Sequence, residues 1–263
     1  MSILEKKTTK WNGSLSEEGY SLLANNNGSM IVSPTKVGYI VMTSDRKGLE
    51  RKFTSKNRNL NKPGVVLCGS MEELKELAQL TPEITAFYQM HWDQDVLLGC
   101  ILPWKEDALK HIPNDGSREL MMDKRQTSCF VIKFGTPSEQ LAKQLWEKDK
   151  KLVFASSANP SGQGNRGLLE GIGERIENEA DLLIEANDYV ASIQPEKSQK
   201  TRYEQGVMVS MVDEAGTIVP AQGKERGVLP CPILIRKGLD VDKIMMNLSD
   251  TFLSWDYRQG FYY

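Results

Sequence analysis

Short apolar runs alternate along this chain with stretches in which apolar residues recur at helical spacing. The runs Met30–Val32, Val65–Cys68, Val96–Leu102, Cys129–Phe134, Lys151–Ala155, Leu182–Ile184, Val207–Val212 and Pro232–Arg236 predict strands. Continuous runs of this kind suit strands buried on both faces. Val37–Met42 is apolar again. Helical spacing predicts helices over Leu15–Asn25, Leu49–Ser55, Met71–Gln79, Pro82–Met90, Ser138–Lys148, Leu168–Asn178 and Val241–Leu248. In the stretch from Leu168 the apolar stripe is Leu168, Leu169, Ile172 and Ile176.

Punctuation agrees with this division. Ser14 or Ser16 caps the first helix, and Asn25 to Gly28 stops it, because Asn and Gly tolerate left-handed dihedrals. Ser70 with Glu73 three residues on matches a capping box. Residues 1–12 read as a loose start or an edge strand. Residues 104–127 read as irregular apart from a turn at Glu106–His111, and the polar residues 186–205 as a mobile loop. Alternating strands and helices predict an α/β fold with a mixed, twisted sheet. There is no internal repeat and no low-complexity stretch.

Composition narrows the chemistry. The 263 residues suffice for one large domain, or for one domain with a small appendage. A net charge of −2 gives no general attraction to nucleic acid, although a local basic patch is compatible with it. Cys68, Cys100, Cys129 and Cys231 form no CxxC pair and read as buried free thiols, and His91 and His111 lack ligand spacing. The polar N-terminus has no apolar core of a leader, and no window approaches the ~18 apolar residues of a membrane span, so the expected address is cytoplasm.

The most specific local signal is Ser156-Ser157-Ala158-Asn159-Pro160-Ser161, which follows the apolar run Leu152–Ala155 and leads into Gly162 and Gly164. Pockets of open α/β sheets lie beyond the carboxyl ends of strands, and small residues there let backbone N–H groups approach an anion. The basic segment Gly48–Arg58, with Lys56 and Arg58, stands ahead of the strand Val65–Leu67. Together these segments suggest a nucleotide pocket.

Taken in order, the motifs carry a family resemblance. They are Pro34-Thr35 followed by Gly38-Tyr39, Lys56-Asn57-Arg58, the strand and capped helix Val65–Ala78, Ser157-Ala158-Asn159 with Ser161-Gly162, Ser210-Met211-Val212-Asp213, and Ile235-Arg236-Lys237-Gly238. From about residue 15 to about residue 245 the chain resembles the YrdC-like family, the threonylcarbamoyl-AMP synthases. The resemblance implies a twisted mixed sheet flanked by helices, with a concave, positively lined pocket, over residues 1–248, and leaves residues 249–263 as an aromatic tail. It implies a nucleotidyltransferase that joins L-threonine, bicarbonate and ATP into threonylcarbamoyladenylate, releasing pyrophosphate. That product serves tRNA modification, with tRNA or tRNA-modification proteins as partners.

By the same resemblance Lys56 and Arg58 are the catalytic cations on the phosphates, and Thr35, Ser157, Asn159, Ser210 and Arg236 bind ATP or the second substrate. Mg²⁺ is expected to arrive on the ATP phosphates. Read without the family, Lys56 and Arg58 also fit a solvated helix face. Ser157 and Asn159 fit turn chemistry, Thr35 a strand end, Arg236 a strand-end charge, and Asp213 a turn rather than a metal ligand. Three segments depart from the family: Lys36-Val37 after Pro-Thr, Asp93 to Leu97 after Trp92, and Val131-Ile132-Lys133. They allow a paralogue acting on another amine or carboxylate, or a non-catalytic nucleotide- or RNA-binding module. Lys36 faces either the pocket, where it favours a carboxylate over an ammonium, or solvent. The tail, with Phe252, Trp255, Tyr257, Phe261, Tyr262 and Tyr263, is expected to dock on its own domain or to form a homodimer contact.

Overall fold

Pro34 lies inside a strand, where it cannot donate to a ladder, and its surroundings explain how. Strand β2 (Ile31–Thr35) pairs with its parallel neighbour only through Ile31 and Val32, so Pro34 sits beyond that pairing. Its other neighbour is the antiparallel β3 (Gly38–Thr43), joined by the two-residue turn Lys36-Val37. In this computed structural model residues 7–25, 27–56, 64–160, 164–198 and 200–261 are described, without the side chain of Lys56.

The chain enters on β1 (Thr8–Lys10) and α1 (Glu17–Ala24), whose cap is Ser16, its hydroxyl accepting from Gly19 N. After the β2–β3 hairpin come α2 (Arg46–Lys56), β4 (Val65–Leu67), α3 (Met71–Leu77), α4 (Pro82–Asp93) and β5 (Leu98–Pro103). Next follow α5 (Ser117–Met121), β6 (Thr127–Ile132), α6 (Thr136–Asp149) and β7 (Phe154–Ser157). The last third holds α7 (Glu174–Glu179), β8 (Leu182–Glu185), α8 (Asn187–Ile193), β9 (Met208–Ser210), β10 (Ile233–Arg236), α9 (Val241–Thr251) and β11 (Asp256–Tyr257).

Among the described residues the strands form one mixed sheet in the order β1-β8-β2-β3-β7-β4-β6-β5-β9-β10-β11. One face of β4 to β10 carries Val66, Cys100, Phe130 and Val209, which pack under α3, α4 and α9. The other face of the same strands carries Leu67, Val131, Ile101 and Met208. Side chains alternate across a strand, so one helical layer leaves this second face available. On β2 and β3, α1 and α6 cover Ile31, Ile40 and Met42, while α7 and α8 cover Val32, Tyr39 and Val41.

Several expectations need correction. The predicted helix Leu168–Asn178 is a 3₁₀ turn at Leu169–Gly171 and then α7, divided at Gly173, whose φ of +89° ends helical geometry. Residues 186–205 are not all loop, because α8 is anchored by the buried Val190. Residues 104–127 include α5. The predicted strand Lys151–Ala155 is shifted to Phe154–Ser157, so Ser156 and Ser157 are strand residues. The capping box is half formed: Ser70 Oγ accepts from Glu73 N, while Glu73 Oε2 accepts from Gly69 N.

The tail docks on its own domain. Phe252 is buried in the core against Phe87, β11 extends the sheet beside β10, and Phe261 packs on Ile101, Cys129 and Ile235. Tyr262 and Tyr263 lie outside the described residues.

Candidate functional site

The face of the sheet opposite α3, α4 and α9 carries a cavity of 610 Å³. Its floor is a row of cross-strand neighbours: Ile40 beside Ser157, Val65 beside Ala155, Leu67 beside Val131, and Gly99 beside both Val131 and Met208. Ile101 completes this apolar surface. The rim comes from the β2–β3 turn (Thr35, Val37), from Leu97 and Phe134, from Ser156–Asn159, from Gly164-Asn165 and from Arg202–Gly206. Among the described residues Arg202 and Arg236 bring positive charge to the lining, against the carboxylate of Glu204.

The end of β7 brings polar atoms to this cavity. Ser156 and Asn159 are 5% and 6% exposed, and Ser156 Oγ and Asn159 Oδ1 have no hydrogen-bond partner. Asn159 Nδ2 donates to Pro160 O at 2.9 Å, which fixes the amide so that its carbonyl is the open group. Ser156 pairs with Val41 and alternates with Ser157, so its hydroxyl turns to the opposite face of the sheet, and Asn159 Oδ1 is the orphaned oxygen on a residue of the cavity wall, where a ligand completes the bonding.

Backbone contacts hold the rim. Thr35 Oγ1 donates to Gly38 O at 2.6 Å and accepts from Val37 N at 3.2 Å, so the hydroxyl shapes the turn as it lines the cavity. Asn165 Nδ2 donates to Val37 O, and Tyr203 N donates to Asn165 O at 3.0 Å. Gly38 and Gly164 have positive φ, and a Cβ on them would meet Asn165 Oδ1 at 2.3 Å and Arg202 Nε at 2.1 Å. These glycines let three rim segments stack closely. Tyr39, buried beneath, donates from its phenol to Asn187 Oδ1 and accepts from Ala186 N. Burial pushes that phenol up, and the Ala186 amide pulls part of the way back.

Of the residues singled out by sequence, the structure brings together Thr35, Ser157, Asn159 and Arg236. Arg236 Nε donates to Gly206 O at 2.8 Å, which ties β10 to the rim. Ser210 does not join them. It lines a separate cavity of 430 Å³ with Arg125, Cys231 and Phe261, and its hydroxyl donates to Val212 O at 3.2 Å. The two-residue step from Met208 to Ser210 keeps both on one face but carries Ser210 out of the first cavity. Asp213 is a turn residue, its Oδ1 accepting from Ala215 N and Thr217 N. Lys56 ends α2, and its side chain, like Arg58, lies outside the described residues.

A family model described as "Telomere recombination" (Sua5/YciO/YrdC) matches residues 24–198. The chain belongs to the Sua5/YciO/YrdC family. A hypothetical protein, smu.1377c, from Streptococcus mutans UA159 is 65% identical, with a TM-score of 0.91 over 97% of this chain and 99% of that one. E. coli YciO is 17% identical with a TM-score of 0.62, over 89% of this chain and 96% of that one. P. abyssi Sua5 complexed with L-threonine is 17% identical with a TM-score of 0.60, over 92% of this chain and 61% of that one. At such identities YciO and Sua5 share the fold. The comparison with curated proteins finds no match.

Against the Sua5/YciO/YrdC pattern the three departing segments converge on one spot. Lys36 faces neither the cavity nor open solvent. Its Nζ is 2.8 Å from Asp95 Oδ2, while Lys133 Nζ is 2.9 Å from Asp95 Oδ1 and 4.7 Å from the Trp92 ring centre. Burial raises the Asp95 carboxyl, but hydrogen bonds from both lysines outweigh it and hold the group below the usual carboxylate range. Ile132 points into the helix-covered core and Val131 into the cavity.

Sequence reasoning missed Arg202, Tyr203 and Asn165, since stretches without apolar period read as loop. The signal was Gly164-Asn165-Arg166-Gly167, a turn sequence that packs under Arg202 and Tyr203. Cys68, Cys100 and Cys129 are buried free thiols as expected, whereas Cys231 is half-buried; burial pushes Cys129 up to about 12, with Arg236 drawing it down only in part. Among the described residues no group of three or more His, Cys, Asp or Glu is placed to hold a metal ion. None of their helices is long and apolar enough to cross a membrane.

Proposed function

We propose that this chain is a nucleotidyltransferase that makes a carbamoyl-adenylate, with L-threonine as the acceptor amine and ATP as the nucleotide. The amine adds to bicarbonate, giving a carbamate and water. A carbamate oxygen then attacks the α-phosphate of ATP, the bond to the β-phosphate bridge breaks, and pyrophosphate leaves. The observation that carries this reading is the β7 end: Ser157 and the buried, unpartnered carbonyl oxygen of Asn159 stand on the wall of a cavity that also bears Arg202 and Arg236.

Each group has a task in this scheme. The Ser157 hydroxyl donates to phosphate or carbamate oxygens. The Asn159 carbonyl accepts from a ligand N–H or O–H. Arg202 and Arg236, with Lys56 and Arg58 from the basic segment, balance the negative charge that grows on the phosphate oxygens, each worth a few kcal/mol, about 2–4, in a water-poor site. The apolar floor seats the flat part of the nucleotide. Magnesium fits this donor set only as a companion of the phosphates, where it supplies further charge compensation. The L-threonine complex of P. abyssi Sua5, the same fold, supports threonine as acceptor, and tRNA modification is the expected use of the product.

A second reading, with a different acceptor, is favoured by one observation: the lysines Lys36 and Lys133 beside Thr35 and Phe134. The experiment incubates protein, ATP, Mg²⁺ and bicarbonate with each amino acid in turn and follows pyrophosphate. Release with threonine alone is expected. Release with another amine selects the second reading, and no release with any amine, joined to salt-sensitive RNA binding, selects a non-catalytic module.

A further inference from the structure

Two lysines share one carboxylate beside the cavity, and the two partners are held very differently. The Lys36 side chain is 8% exposed and that of Lys133 is 18% exposed, whereas the Asp95 side chain is 66% exposed. Lys36 is fixed from three distant parts of the chain: its amide donates to Phe134 O, its carbonyl accepts from Gln194 Nε2, and its ammonium also reaches Asp95 O. The Lys133 ammonium lies over Trp92. Asp95 stands at the turn from α4 to β5 with φ +54°, a left-handed value that a residue with a Cβ adopts at a cost. The cations are therefore built in, and the anion reaches them from the solvent side.

We propose that Lys36 and Lys133 form a carboxylate seat, that Asp95 is its resident occupant, and that a carboxylate borne by a ligand takes the place of Asp95. Each oxygen of Asp95 meets one ammonium, so the seat is matched to a two-oxygen planar group. Two largely buried ammonium groups without an anion are costly, so the seat is filled either from within or from outside. The exchange conserves both ion pairs and frees an exposed side chain. The seat adjoins the cavity rim: Lys36 stands between Thr35 and Val37, Lys133 precedes Phe134, and Leu97 follows Asp95 by two residues. A ligand anchored there extends across that rim. The test below reads anion binding alone, so its outcome is independent of the carbamoyl-adenylate reading.

The experiment titrates acetate into the full chain and into Asp95→Gly, where glycine suits the left-handed backbone. It follows the Trp92 indole N–H resonance, assigned by its loss in Trp92→Phe, at constant ionic strength. Asp95→Gly should half-saturate at an acetate concentration at least ten-fold below that of the wild type, and Lys133→Met in the Asp95→Gly background should abolish the shift. Inorganic phosphate should move the resonance less than acetate does. Asp95→Asn, which keeps the side-chain shape, should give the same order of affinities if the glycine variant does not fold. Equal responses of wild type and variants, a stationary resonance, or a stronger response to phosphate would each overturn the proposal.

Discussion

Arg51 on α2 grips Asp181 with two nitrogens, Nη1 at 2.7 Å from Oδ2 and Nη2 at 3.1 Å from Oδ1. The same guanidinium donates to Gly28 O and Glu179 O, and Asp181 Oδ2 also accepts from Met30 N. One planar fork thus fixes the helix that ends at Lys56 against the starts of β2 and β8. Arg51→Lys should lower stability by about 1–2 kcal/mol, because an ammonium cannot repeat the fork geometry. Urea unfolding checks this. If α2 positions the basic segment, ATP affinity falls with it.

The role of that segment is tested directly. Lys56→Ala and Arg58→Ala should each reduce pyrophosphate release by about 100-fold or more, with unchanged thermal melting. Turnover that survives either change removes the pair from the mechanism.

Gly38→Ala should destabilise the hairpin. The residue sits at φ +96°, and an added methyl would lie 2.3 Å from Asn165 Oδ1. Asn165 is itself bonded to Val37 O and Gly167 N and has little room to retreat. A loss of about 1–3 kcal/mol is expected, read from the melting temperature.

His91 gives stability a pH dependence. Burial lowers its pKa, partly offset by the Phe87 carbonyl, and Lys243 adds a small push the same way. The neutral ring bonds Phe87 O through Nδ1 and Asn247 Nδ2 through Nε2. A folded-state pKa below the unfolded value of about 6.5 means that the unfolded chain binds more protons. Stability should therefore fall as pH drops below about 6.5, with His91→Leu flattening that slope in denaturant titrations. Asp95, also depressed, acts in a separate window: its contribution is present above the unfolded carboxylate value of about 3.9 and is lost in more acidic solution.

Phe252→Ala tests how far the tail belongs to the domain. The ring is 1% exposed and meets Phe87 edge-on with centres 5.7 Å apart. A loss of about 3–5 kcal/mol is expected, against little change for a detached tail. Equilibrium unfolding distinguishes the two.

The strands are legible wherever an apolar run is flanked by turn residues: Leu182–Ile184 is buried on both faces, and Val65–Leu67 has a core on one face and an apolar cavity floor on the other. The cavity's central signal, Ser156 to Asn159, was legible for the same reason: polar residues stand abruptly at the end of an apolar strand. Ser210 was misplaced because a linear motif does not say how far along the strand the rim lies. Arg202 and Tyr203 were invisible because their positions depend on Gly164 and Gly167, distant in the chain and contributing no side chain of their own. Lys36, Asp95 and Lys133 each stand in a segment that departs from the family pattern, but only the packing of three turns makes them one cluster.

The floor formed by Ile40, Val65, Leu67, Ile101 and Val131 offers no hydrogen bond to whatever rests on it. Water over such a surface is released when a ligand settles there. Calorimetry should accordingly register a negative heat-capacity change, with association growing more exothermic on warming.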